Sequence, residues 1–142
     1  MTLVVGALNN DYALQVSDRR LTGFDGKPAD DESNKLILLH GVGWRCIIGY
    51  SGFAGAGSFR TREWLTTALR DAAPPDFTIG GTFSRLTSLA TKTFVENAAV
   101  RSTAPRFRRL SIMFTGYIAA QGGGDLHLWI RHKLSGLPEG RR

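Results

Sequence analysis

The chain has 142 residues, carries 18 Lys and Arg against 12 Asp and Glu for a formal net charge of +6, and is 42% apolar and 21% charged. That length is one domain, and the balance suits a chain that buries a core rather than a disordered or fibrous one. No stretch approaches the ~20 apolar residues of a membrane helix, no basic-then-apolar leader opens the chain, and a single cysteine, Cys46, excludes an internal disulfide and fits the cytoplasm.

Taken in order, Leu3-Val4-Val5-Gly6-Ala7-Leu8 reads as a strand, and Asn9-Asn10-Asp11 supplies residues that tolerate a tight turn. Tyr12 to Val16 returns as a second strand and ends at Ser17-Asp18-Arg19-Arg20. Residues 21–34 are polar and turn-rich, with Gly23, Gly26 and Pro28. Lys35 to Leu39 is a third strand, joined by Gly41-Val42-Gly43 to a fourth over Trp44–Tyr50. After a glycine-rich loop at 52–57, Ser58 is the expected cap of a helix running to about Ala72, with Leu65, Leu69 and Ala72 inward and Pro74-Pro75 as its stop. A second helix is expected over 81–99, where Phe83, Leu86, Ala90, Phe94 and Ala98 recur at steps of three or four. Strands resume at Leu110–Ile118 and Leu126–Ile130 around a turn at Gly122–Gly124. Helices grouped between strands predict an α+β fold, antiparallel sheets with a helical layer, rather than a doubly wound parallel one. Residues 1–133 form one domain in this reading, and 134–142 an irregular tail.

The residues that carry chemistry lie at the start. A small residue after Met1 predicts removal of Met1, which leaves Thr2 with a free α-amino group. Such an amine has a pKa near ~7.7–8.0 and can serve as the base that a threonine hydroxyl needs to become a nucleophile. Asp18-Arg19-Arg20-Leu21-Thr22, Lys35 and Ser51-Gly52 follow. Each also has a structural reading. Thr2 can simply open a strand, Asp18 can pair with an arginine at a solvated strand end, Lys35 can be an edge charge that discourages aggregation, and Gly52 can serve a turn.

Order and interval together resemble the proteasome β-subunit family of N-terminal-nucleophile (Ntn) hydrolases. Those chains begin, when mature, with a threonine followed sixteen residues on by an Asp-x-Arg-x-Thr motif, the interval from Thr2 to Asp18 here. Lys35 matches the family lysine with one residue inserted in the preceding loop, and Ser51-Gly52-Phe53-Ala54 is similar to the turn before the first helix. The resemblance spans roughly residues 2–130 and implies an αββα sandwich, here incomplete, because the second helical pair and a serine and Asp-Ser pair of the family have no counterpart in 131–142. It implies a threonine-nucleophile peptidase or amidohydrolase with Thr2, Asp18 and Lys35 catalytic, Gly52 as oxyanion donor, and Arg20, Thr22 and Ser51 supporting the pocket or the substrate. A peptide or amide substrate is implied, and no cofactor.

Two other classes remain open. A non-catalytic Ntn-fold assembly protein would use the uncovered sheet face, so a homo-oligomer or a covering partner is expected there. A basic nucleic-acid binder would use Arg101, Arg106, Arg108 and Arg109, although only Phe107 interleaves with them. No metal is expected, since His40, His127 and His132 have no ligand spacing with Cys46. The loop at 52–58 lacks the lysine of a phosphate-binding loop and is followed by no parallel βαβ unit.

Overall fold

The computed structural model describes residues 3–9, 11–22, 27–30, 32–73, 78–119 and 125–135. Ten strands and three helices follow one another as β1 (Val4–Leu8), β2 (Ala13–Ser17), β3 (Leu21–Thr22), β4 (Pro28–Asp30), β5 (Leu36–Gly41), β6 (Trp44–Gly52), β7 (Gly55–Ala56), β8 (Phe59–Arg60), α1 (Thr61–Ala72), α2 (Ile79–Glu96), α3 (Ala98–Arg101), β9 (Arg109–Ala119) and β10 (Asp125–Ser135). A single 3₁₀ turn, Pro105–Phe107, leads into β9. The fold is α+β with antiparallel sheets.

The central sheet has the order β10-β9-β6-β5, every neighbour antiparallel. Because side chains alternate along a strand, Cys46, Ile48 and Tyr50 share one face with their cross-strand neighbours Phe114 and Ile112. The helices cover that face. Leu65, Leu69 and Ala72 of α1 and Leu86, Ala90 and Phe94 of α2 are buried in one cluster with the sheet residues, and the Phe83 ring meets Phe114 edge-on at 4.4 Å. Burial pushes the Cys46 thiol up to about 12 and makes it part of this core.

The β1–β2 hairpin lies on the opposite face. Asn9 closes its turn by accepting from the Asp11 and Tyr12 N–H groups at 2.8 Å. Gln15 donates from its amide to the Thr115 hydroxyl and the Met113 carbonyl, and the Tyr117 hydroxyl donates to the Asn9 carbonyl. A glycine at 49 permits this approach, since a Cβ there would sit 2.9 Å from Val4 Cγ1. The other side of the hairpin is covered by no element among the described residues. Leu3, Val5, Tyr12, Leu14 and Val16 are each more than half exposed there, with Val5 directly opposite Val16.

Several sequence expectations change. Ser58 does not cap α1: the short β7–β8 ribbon intervenes, and the helix begins at Thr61, whose hydroxyl donates to the Phe53 carbonyl at 2.6 Å. Stacking of Phe53 on Phe59, at 5.7 Å, draws this ribbon into the core. The second helix starts earlier, at Ile79, capped by Thr78. It breaks at Asn97, whose extended backbone and side chain start α3, so Val100 is buried in place of the expected Ala98. The last strand continues to Ser135, paired with Arg109, and takes Leu134 and Ser135 out of the expected tail. Part of the 21–34 loop is also paired, as β3–β4. The expected turn at Gly122–Gly124, the Pro74-Pro75 stop and residues 136–142 lie outside the described residues. Among the described residues no helix is long and apolar enough to cross a membrane.

Candidate active site

Lys35 sits one residue before β5, and its parity matches that of Ile37 and Leu39, which pack on the core. The same alternation turns Lys35 inward. Its residue exposure is 1%, which removes the reading of an aggregation-blocking edge charge. The Lys35 ammonium donates to the Asp18 carboxylate at 2.7 Å and to the Arg20 backbone carbonyl. Its own carbonyl accepts from the Tyr50 N–H, which ties the pair to β6.

Asp18 follows β2 directly, and its backbone N–H donates to the Leu3 carbonyl at 3.2 Å. The start of the N-terminal strand is thereby bonded to the residue that holds Lys35. Asp18 remains about one-third exposed, so the ion pair has its ammonium end dry and its carboxylate end wet. The alternative in which Asp18 pairs with an arginine does not hold among the described residues, and Arg19 reaches Glu32 instead. Thr2, the expected nucleophile, lies outside the described residues.

Gly52 ends β6 opposite Leu110. Its φ of +101° lies in the region that disfavours side chains, and a Cβ there would stand 2.1 Å from the Arg109 carbonyl oxygen. Glycine is therefore required for the turn whatever its chemical role. Ser51 is half-buried and pairs with Ser111. Thr22 and Gly52 both line an open cleft of about 1280 Å³, together with Tyr50 and Phe53. Arg20 contributes a carbonyl to Lys35 rather than only a bracing side chain.

Several cleft residues carried no sequence signal. Burial raises the Tyr50 phenol above its ordinary pKa, while a hydrogen bond with Ser33 and the nearby Arg62 charge act against that rise and Asp30 adds to it. Arg106 and Arg109, expected on a solvated connector or a nucleic-acid surface, line the cleft beside Arg60 and Arg62. The pairing of β6 with β9 helps to bring these two distant segments together. Among the described residues no three of His, Cys, Asp and Glu gather as metal ligands. Comparison with protein-family models, curated proteins and solved structures gives no match.

Proposed function

We propose that the chain is a proteasome-like Ntn hydrolase that cleaves amide bonds with Thr2 as nucleophile. The observation that carries this reading is the buried Lys35 ammonium, held by Asp18 and the Arg20 carbonyl beside the start of the first strand. Taking an ammonium out of water costs several kcal/mol even when it is paired, about what well-packed apolar residues would avoid. A charge kept at that cost, on a lysine whose backbone carbonyl bonds the cleft residue Tyr50, marks a candidate for chemistry.

In this mechanism the α-amino group exposed by loss of Met1 accepts the Thr2 hydroxyl proton, directly or through water, as the oxygen attacks the substrate carbonyl. The Lys35 charge stabilises the developing alkoxide, and Asp18 fixes the lysine in place. The Gly52 N–H donates to the oxyanion, a contact worth about 2.7–4 kcal/mol where such donors have been removed. The Thr22 backbone aligns an extended peptide along the cleft that Thr22 and Gly52 line. In this reading the helix layer, the central sheet and the hairpin stand for three of the four layers of an αββα sandwich. The lone buried cysteine suits a reducing, cytoplasmic setting.

The test is intact mass before and after incubation with a peptide epoxyketone, which captures an N-terminal threonine. Loss of Met1 and one adduct, absent in Thr2→Ala, is expected. Retained Met1 would remove the base and overturn the mechanism.

A second reading, a non-catalytic assembly protein, draws on the uncovered apolar side of the hairpin, where Leu3 is 65% and Val16 56% exposed. It expects Met1 retained, no adduct, and self-association that grows with concentration.

A further inference from the structure

We propose that the cleft beside Gly52 selects acidic substrates: peptides carrying a carboxylate side chain next to the amide to be cleaved. This specificity rests on the amide-hydrolase reading above and adds the substrate class to it.

The cleft wall is cationic. Arg60 and Arg62 reach it from the start of α1, and Arg106 and Arg109 from the segment that enters β9. Two carboxylates, Asp30 and Glu63, share the same lining. Even so, no ion pair joins any of the four arginines to a carboxylate among the described residues. Asp30 instead accepts from the Glu32 backbone N–H at 2.7 Å. Among the described residues, four like charges are thus gathered from two separate segments with no direct ion pair and two carboxylates nearby, a net positive wall whose self-repulsion a bound anion relieves.

The wall is also shaped for a carboxylate. Arg60 is braced by donating to the Gly57 and Phe59 carbonyls, which leaves other guanidinium N–H groups for a ligand. The Arg106 guanidinium lies 4.8 Å from the centre of the Phe107 ring, a cation–π contact that uses the ring rather than a carboxylate as its neighbour. The cleft floor is formed by Tyr50 and Phe53, each 2% exposed. A carboxylate entering there meets several fork-shaped guanidinium donors, which pair with it through charge-assisted hydrogen bonds. A lysine side chain meets the same field with the opposite sign. Thr22 and Gly52, the residues assigned above to substrate alignment and the oxyanion, line the same cleft as the four arginines.

The experiment measures binding of fluorescein-labelled hexapeptides to Thr2→Ala protein, which cannot turn them over. The peptides differ only in a central Glu, Gln or Lys, and a twelve-nucleotide single-stranded DNA is included. The Glu peptide is expected to bind about tenfold tighter than the Gln peptide, the scale of one charge-assisted hydrogen bond, and the Lys peptide weakest. Arg62→Ala with Arg106→Ala, both exposed positions, should abolish that preference, while Lys92→Ala on the outer side of α2 should preserve it. Equal affinities, a preference that survives loss of both arginines, or DNA binding tighter than the Glu peptide would each overturn the proposal. Epoxyketone capture on the wild-type protein separates the two claims. An adduct with indifferent binding removes the specificity alone, whereas a Glu preference without an adduct removes the hydrolase reading and its substrate together.

Discussion

Removing Asp18 isolates the energetics of the candidate site. The Lys35 ammonium has no solvent exposure, and the 2.7 Å bond to Asp18 supplies its opposite charge. Breaking a buried ion pair from one side generally costs about 3–5 kcal/mol, because the remaining charge is dry and uncompensated. Two features put Asp18→Ala at the low end of that range. The Arg20 carbonyl still accepts from Lys35, and the carboxylate, about one-third exposed, was already partly screened. A loss of about 3 kcal/mol lowers the melting temperature of a domain this size by about 10 °C. Lys35→Met removes the charge and keeps most of the buried stem. The Asp18 left behind can take up water, so this variant should stay within about 1 kcal/mol of wild type. Both are read by thermal melting and urea titration at neutral pH. Asp18→Ala melting within about 2 °C of wild type, or Lys35→Met falling as far as Asp18→Ala, would refute the claim that a buried charge dominates the cost. Both variants should also lose the epoxyketone adduct, a readout that packing alone would not move.

Gly52→Ala should destabilise by about 2–3 kcal/mol, because it forces a Cβ against the Arg109 carbonyl that accepts from the Phe53 N–H at 2.7 Å; urea titration with an unchanged midpoint would contradict this. Cys46 should resist a thiol reagent in native protein and react on denaturation, since only the thiolate is nucleophilic and burial pushes its pKa up to about 12. A raised folded-state value means that Cys46 contributes stability fully below its unfolded pKa near 9.0 and loses it as the pH climbs toward 12. Cys46→Ala should accordingly flatten the alkaline limb of a stability-against-pH curve by about 2–3 kcal/mol between pH 9 and 11, and a limb identical to wild type would count against the burial argument. Leu14→Lys with Val16→Lys, at two exposed hairpin positions, should reduce self-association in sedimentation without lowering the melting temperature; unchanged sedimentation of a self-associating protein would place the contact elsewhere.

Much of the local structure is written in short-range pattern. The alternating strands around Asn9, the i, i+4 spacing of Leu65 and Leu69 and of Leu86, Ala90 and Phe94, and the position of Lys35 ahead of Ile37 and Leu39 are all visible without coordinates, because each depends on neighbours within a few residues. The helix boundaries were less legible. Asn97 competes for its own backbone through its side chain and splits what periodicity alone reads as one helix. Ser58 is an apt cap by residue type, but the Phe53–Phe59 stack holds that stretch as a ribbon.

The site divides along the same line. Asp18, Lys35 and Gly52 could be singled out by type and interval. That Lys35 is dry, that Asp18 pairs with it rather than with an arginine, and that the Arg20 carbonyl joins them depend on the β2–β3 and β4–β5 connections meeting. The sequence by itself determined an α+β chain with antiparallel strands, two amphipathic helices and an N-terminal hairpin, and it singled out Lys35 while leaving open whether that lysine faced a site or an edge. Only the tertiary structure decided that β6 pairs with β9, and with it that Arg60 and Arg62 share a cleft with Arg106 and Arg109. The reason is physical: hydrophobic alternation acts over a few residues, whereas that strand pairing closes a loop of more than fifty, whose ends find each other only through the burial of the whole core.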